Sequence, residues 1–355
     1  MKILEINLAK TWRGGERQTL YTSQGLRELG HEIVIACYPG SNLYHKATDA
    51  GFKTEVFSTP REFLFWLIGN GKKFDILHCQ GSKELTWAVM TKIFHKSKVV
   101  LTRRVNFKPK GWLTRYKYRR ADKVVAISEA IKNTITGFGI NGVSVIPAIY
   151  VKSTADAQAI ETLRKTFNIG ERKIIATAAA FTTEKDPFTM LSAIADLYKK
   201  RKDFVFLHFG DGELKQTLQE KIKQLGIQEV YKLTGHYANI ERLFPAFRLF
   251  MMSSTEEGLG SSVLDAFYHR VPVVSTNAGG LADLLSNGRG KLCPVGDDIC
   301  LSNAADKTLN TLADQTMKQQ VDAAYDHLIK HHELEFCSHM YHQLFMQLSK
   351  DKTAR

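Results

Sequence analysis

Short apolar runs rich in β-branched residues alternate with amphipathic segments along almost the whole chain, and that alternation leaves few folds open. Strands are expected at residues 2–8, 32–37, 76–79, 99–102, 123–127 and 143–146, then at 173–178, 204–209, 230–234, 249–252 and 271–275. Helical patterns fill the gaps, as at 17–29, 83–94, 128–138, 189–201 and 214–225. Continuous apolar strands separated by helices read as parallel sheets covered on both faces. The alternation breaks once, around residues 148–166, so an α/β chain of two doubly wound, Rossmann-like units end to end is expected. The last helical stretch, about 326–349, has no strand after it. Two such units would face one another across a cleft at the carboxyl ends of their strands, where open α/β sheets bind ligands.

Of the 355 residues 44% are hydrophobic and 24% charged, which excludes a disordered or fibrous chain. The longest apolar stretch, residues 63–68, is far too short to span a bilayer. The opening MKILEINLA, with Glu5 inside it, reads as a first strand rather than a signal peptide. Five scattered cysteines without a CxxC pair lead us to expect neither a disulfide framework nor a zinc ribbon, and a reducing cytoplasm as the compartment. Charge is uneven: residues 1–150 hold 24 basic against 11 acidic residues, and 151–355 hold 25 of each. From Leu85 to Ala121 there are eleven basic residues and no acidic one. One-signed clustering points to an anionic partner, whether nucleic acid, membrane surface or phosphorylated acceptor; a solvated basic face is the plain alternative.

The densest motif is EGLGSSVLDA over residues 257–266, after the strand ending at Met252 and leading into a helix near Gly260. Gly258 and Gly260 let backbone approach a ligand, and Ser261 and Ser262 stand at a helix N-terminus, a geometry suited to phosphate. Glu257 and Asp265 flank it as acceptors for sugar hydroxyls; the plain alternative is a capped turn with a solvated acid. Gly279-Gly280 in PVVSTNAGG, Gly210 and Gly212 in FGDGEL, and Gly14-Gly15 after the first strand are further strand-to-helix turns. Lys185 in FTTEKDP follows another strand end, and on its own would pass for a surface lysine. The first loop lacks the third glycine of a dinucleotide fingerprint, which speaks against NAD.

In this order and spacing, EGLGSSVLDA, FTTEKDP, FGDGEL, LTGH, PVVSTNAGG and ADKVVAISEAI resemble family 4 glycosyltransferases of the GT-B fold, most closely bacterial enzymes of lipopolysaccharide and surface-glycan assembly. The resemblance implies a domain at 1–148 on the acceptor side, a nucleotide-sugar domain at 149–327, and a final helix at 328–355 packing back on the first. It implies that Glu257 holds the donor sugar, Asp265 the ribose, and Lys185 the diphosphate. The backbone at Gly258, Leu259, Gly260, Ser261 and Ser262 would cradle the phosphates, with Gly14 and Gly15 closing over them and Gly235 and His236 bordering the base. The chain departs from the family at Asp265, where Glu is usual, and at Ala179-Ala180, where Gly-Arg is frequent. It departs again at Arg104, where many members have His, and at Pro147-Ala148-Ile149-Tyr150, in place of Pro-Asn-Gly.

A retaining transferase is therefore expected, using a nucleotide-sugar co-substrate, a UDP-sugar above all, without an obligatory cofactor or metal. Glu257 and Arg104 are the catalytic candidates, and Arg13 is a further cation for the departing diphosphate. Arg can bind phosphate in two-pronged fashion but cannot act as a base. Arg103, Lys108, Lys110, Trp112, Arg115 and Lys117 are assigned to an acceptor or membrane side, with Phe107, Tyr116 and Tyr118 interleaved. The partners expected are an anionic glycan or lipid-linked acceptor and the inner face of the cytoplasmic membrane, not nucleic acid. His331, His332, His339 and His342 are expected in packing rather than on a metal. A sugar-nucleotide epimerase of the same fold and a non-catalytic glycan or nucleic-acid binding module are the alternatives.

Overall fold

The computed structural model describes residues 1–12, 14–237 and 239–353, with side chains described up to Lys350. The chain divides into two compact units: Met1–Val151 with Lys330 onward, and Lys152–Ile329. In the first, β1 (Lys2–Asn7), α1 (Gly14–Glu28), β2 (Glu32–Cys37), α2 (Asn42–Asp49), β3 (Lys53–Val56) and α3 (Pro60–Asn70) are followed by β4 (Ile76–Cys79), α4 (Ser82–Met90), β5 (Lys98–Arg103), α5 (Trp112–Arg120), β6 (Lys123–Ala126), α6 (Glu129–Gly137) and β7 (Ser144–Val145). The strands form one sheet in the order β3-β2-β1-β4-β5-β6-β7, every pair parallel.

The second unit runs α7 (Ala157–Thr166), β8 (Lys173–Ala178), α8 (Pro187–Lys200), β9 (Phe204–Phe209), α9 (Lys215–Gln224), β10 (Tyr231–Gly235), β11 (Phe247–Met252), α10 (Ser261–Tyr268), β12 (Val273–Thr276), α11 (Gly280–Leu285), β13 (Lys291–Cys293) and α12 (Asp298–Asn310). Its sheet has the order β10-β9-β8-β11-β12-β13, again all parallel. Both sheets thus reverse strand order once, between β1 and β4 and between β8 and β11. Those are the switch points where crevices open at the carboxyl ends.

Local chemistry sets the helix starts. Thr59 accepts from the Glu62 N–H (3.3 Å) while Glu62 accepts from the Ser58 N–H, with Pro60 at the first helical position of α3. Ser128 caps α6, Asp156 caps α7, Asp186 caps α8 and Asp297 caps α12. The hot stretch 63–68 lies inside α3, where Phe63 and Leu67 are buried and Phe65 is exposed.

Three features depart from the sequence reading. Two edge strands, β3 and β13, were not anticipated; KTEV alternates charge with small or branched residues, and KLC is three residues long. The final helical stretch is two helices, α13 (Gln315–His332) and α14 (Leu334–Thr353). They part at Glu333, which bridges Tyr150 as an isolated strand pair, while the Tyr150 N–H donates to His332 O (2.6 Å). No glycine or proline marks that break. Third, Cys293 and Cys300 form a disulfide, correcting the expectation that the cysteines stay apart. The turn from β13 into α12 brings their Cα atoms to 5.7 Å, and that turn is invisible without β13.

The first core gathers β1, β2, β4, β5 and β6 with Cys337, Tyr341, Leu344 and Phe345 of α14. α14 lies on α1 so closely that a methyl at Gly25 would sit 1.8 Å from the Ser338 hydroxyl. The segment 147–150 is held from both sides: the Gln18 amide exchanges two 2.6 Å hydrogen bonds with the Ile149 backbone, and His332 Nδ1 meets Ala148 O at 2.8 Å. No described helix is long and apolar enough to cross a membrane.

Candidate active site

Lys185 and Glu257 converge at the β8–β11 switch point of the second unit. Lys185 closes a single 3₁₀ turn, Thr183–Lys185, beyond β8, and Glu257 lies in the loop leaving β11. Their side chains form a salt bridge, 22% and 13% exposed respectively. The two loops are joined by hydrogen bonds to backbone carbonyls: Ser253 Oγ donates to Lys185 O and Asp186 O (3.0 and 2.8 Å), and the Thr255 N–H donates to Glu184 O (2.9 Å). Asp186, in left-handed backbone (φ 43°), ends the turn and caps α8 at once.

Downstream, the 257–262 loop turns into α10. Gly260 is the N-cap, at φ 87°, and offers no side chain to its first turn. The N-terminal N–H groups of α10 therefore stand as a positive helix end beside the Lys185–Glu257 pair. A side chain at Gly260 would place Cβ 2.6 Å from Leu281 of α11. The helix begins at Ser261, so Asp265 lies about one turn in, and it is buried at 2% exposure.

The neighbouring glycine turns have packing reasons. Gly280, first residue of α11, would carry a Cβ 2.2 Å from Gly258 O, and its N–H donates to Glu257 O (3.0 Å). Thus the turn in PVVSTNAGG presses directly on the EGLG loop. Gly210 and Gly212 would meet Ala179 O at 2.0 Å and Phe181 O at 2.6 Å, so FGDGEL seats the loop that carries Lys185. Gly235 ends β10 with φ 77°, accepting from the Gly210 N–H, and His236 beyond it is exposed.

In the first unit, Gly14 and Gly15 begin α1, and a Cβ on Gly15 would lie 3.8 Å from Arg104 Cδ. Arg13 lies outside the described residues. Arg104, just past β5, donates from Nη2 to Gln80 Oε1 (2.5 Å); burial pushes its pKa down, opposed by Tyr341, Glu5 and Glu16. Arg103 departs from its assignment to the acceptor or membrane side: it is 4% exposed, donates to Tyr118 Oη (2.8 Å) and Phe107 O, and lies against both rings. Strand alternation is the cause, since adjacent residues leave β5 on opposite faces. Tyr118 is buried with it.

Lys117 is likewise tied inward, to Ser82 O (2.5 Å) and Thr86 Oγ1 (3.0 Å) of α4, and burial lowers its pKa. Lys92 pairs with Asp122 (2.6 Å). Lys108, Lys110 and Arg115 are open to solvent, as are Lys96, Arg119 and Arg120, and Phe107, Trp112, Leu113 and Tyr116 are exposed around the first three; Trp112 is 75% exposed. The histidines are dispersed: His342 Nδ1 faces His31 Nε2 (2.9 Å), His339 meets Glu335 O, His331 stacks edge-on to Phe336, and His332 is buried on Ala148. Among the described residues no group of three or more His, Cys, Asp or Glu is placed to hold a metal.

Two family models match this chain, "Glycosyltransferase Family 4" over residues 12–148 and "Glycosyl transferases group 1" over 159–326, in sequence and with little left over. The chain belongs to the family 4 glycosyltransferases. Its relatives include a 2-deoxystreptamine N-acetyl-D-glucosaminyltransferase of Niallia circulans, 26% identical over 42% of this chain and 39% of that one. Another is an undecaprenol-linked-glycan α-1,4-N-acetyl-D-galactosaminyltransferase of Campylobacter jejuni, 32% identical over 36% and 35%. The matched stretches span well under half of those two relatives' own lengths. Among solved structures, Anabaena Alr3699/HepE in complex with UDP and glucose superposes with a TM-score of 0.86 at 17% identity, covering 98% of this chain and 100% of that one. That likeness establishes the GT-B fold of this family 4 member.

Sequence reasoning passed over Ser253 and the Gly280 backbone crossing, which hold the loops around Lys185 and Glu257, and, in the first unit, the buried polar side chains of Glu5, His78 and Gln80. Only Glu5 within KILEIN and His78 within ILHC left a signal, each a polar residue interrupting a central apolar strand.

Proposed function

We propose that this family 4 member is a retaining glycosyltransferase that moves a sugar from a UDP-sugar to an anionic, lipid-linked or surface-glycan acceptor. The observation that carries the reading is the Lys185–Glu257 pair beside the open amino end of α10. In this reading the C1–O bond to the diphosphate breaks while a bond to the acceptor oxygen forms on the same face of the sugar. The acceptor's proton passes to the departing phosphate oxygen, so the protein supplies positioning and charge stabilisation rather than a nucleophile. Lys185 and the α10 N-terminus take up the growing diphosphate charge, Glu257 holds sugar hydroxyls, Asp265 binds ribose, and no metal is required. The same reading assigns Gly14, Gly15, Gly235 and His236 to the donor, and Arg104 as a fixed cation. Support comes from the Anabaena structure, which holds UDP and glucose, and from the Campylobacter relative, named for a lipid-linked acceptor.

Calorimetry with UDP tests the donor site. Lys185→Ala is expected to weaken UDP by roughly 10- to 100-fold, the loss of a charged hydrogen bond worth about 1.5–3 kcal/mol. Unchanged affinity would remove Lys185 from the diphosphate. NMR of UDP-sugars incubated without acceptor should show hydrolysis only; a new epimer would favour an epimerase.

The exposed aromatic and basic residues at 107–116 support work at the anionic inner face of the cytoplasmic membrane, with about 1 kcal/mol per cation near that surface. Sedimentation with phosphatidylglycerol-containing vesicles should fall when Lys108, Lys110 and Arg115 become Ser and when Trp112 becomes Ser. Lys117 is left intact because it joins α4 to α5. Equal recovery on neutral vesicles would end this reading.

A further inference from the structure

We propose that Gln80 is a positioning residue whose amide joins the Arg104 guanidinium to the buried carboxylate of Glu5, presenting Arg104 as a fixed cation to an anionic oxygen of the substrate. This rests on the reading that Arg104 takes part in transfer.

Five polar side chains share one face of the first sheet. Glu5 of β1 and His78 of β4 are register partners, and Gln80 follows His78 by two residues. Thr102 of β5 lies two residues past Val100, the register partner of His78, and Arg104 two further. The period of two puts all of them on the same side, at and beyond the carboxyl ends of the strands flanking the switch point. Gln80 Nε2 donates to Glu5 Oε2 (2.6 Å), and Gln80 Oε1 accepts from Arg104 Nη2 (2.5 Å). His78 Nδ1 meets the other Glu5 oxygen (2.8 Å), and His78 Nε2 meets Thr102 Oγ1 (2.7 Å), which reaches Tyr341 Oη of α14 (3.0 Å).

Glu5 and His78 are wholly buried, and a carboxylate there needs both donors and a counter-charge. A direct Glu5–Arg104 fork would consume two guanidinium donors. The intervening amide consumes one and passes the anion's influence through a rigid, neutral link. Of the five donors of Arg104, one on Nη2 is given to Gln80, and the buried Nε–H has no partner among the described residues.

The test is a double-mutant cycle read as UDP release from UDP-glucose, UDP-galactose or UDP-N-acetylglucosamine, whichever turns over fastest, with melting temperatures alongside. Gln80→Met is expected to lower kcat/KM by about 10- to 100-fold through misplacement of Arg104. In the Arg104→Ala background the same change should cost nothing further. Glu5→Gln, which keeps shape and the bond from Gln80 but removes the charge, should reproduce part of the loss if Gln80→Met does not fold. Independent, multiplying losses from Gln80 and Arg104 would overturn the proposal, as would full activity of Gln80→Met. Full activity of Arg104→Ala would instead sink the role assigned to Arg104, and no turnover of any of the three donors would sink the UDP-sugar reading while leaving Gln80 without a function to serve.

Discussion

Glu257 reaches Lys185 from a loop bent at Gly258 and Gly260, and Glu257→Gln separates its charge from its shape. Turnover is expected to fall by orders of magnitude. UDP affinity should hold or rise, because the amide no longer competes with phosphate for the lysine; weaker UDP binding would put Glu257 on the nucleotide instead. Asp265 gives a second residue-scale result. The resemblance to the family suggests that Glu would be at home there, but the carboxylate is 2% exposed within α10. An added methylene in a close-packed place costs about 1–3 kcal/mol. A drop of several degrees in melting temperature is expected for Asp265→Glu, and an unchanged melt would show space that the packing does not suggest. Arg103 and Arg104 show why single residues resist sequence reading: the RR pair is one motif in the chain and two environments in the sheet.

At the scale of elements, the glycine turns are legible as turns but not as contacts. Gly280 was readable as part of a βα phosphate turn; only the packed structure brings it against Gly258, an approach that leaves no room for a methyl. Gly280→Ala is expected to push α11 and the EGLG loop apart, lowering the melting temperature and weakening UDP together. Gly69→Ala is its control: that glycine lies in α3 with open space around its Cβ position, and the change should be neutral or stabilising by about 0.4–1 kcal/mol. Equal effects at the two sites would refute the crossing. The basic stretch behaves similarly. Eleven cations appear in sequence, but Lys92, Arg103 and Lys117 are committed to bonds within the first unit, and the outward charge is correspondingly smaller.

At the scale of the whole molecule, each unit carries a buried histidine held neutral. His31 is pushed down to about 4 by burial, with the amino terminus and His342 adding, and His208 to about 3 by burial. In the unfolded chain both ionise near 6.5, so below that pH the unfolded state binds more protons. The stability they confer is complete above pH 6.5 and is lost as pH falls through the folded values, by up to about 1.4 kcal/mol per pH unit for each unit's histidine. Melts between pH 7 and 4.5 should fall steadily, and His31→Gln should flatten the slope for the first unit alone. An unaltered slope would show that His31 titrates freely.

The strand–helix alternation, the break near residue 150 and the order of the motifs were determined by the sequence itself, because hydrophobic period and turn chemistry are local properties of the chain. So were Glu257 and Lys185 as candidates, since both follow strand ends. What only the tertiary structure decided depends on residues far apart in sequence. The Glu333 break exists because Tyr150 pairs there, and the Cys293–Cys300 bond because β13 turns into α12. Glu5, His78, Gln80 and Arg104 meet because three parallel strands stand in one register, and no local pattern along the chain encodes which strands become neighbours.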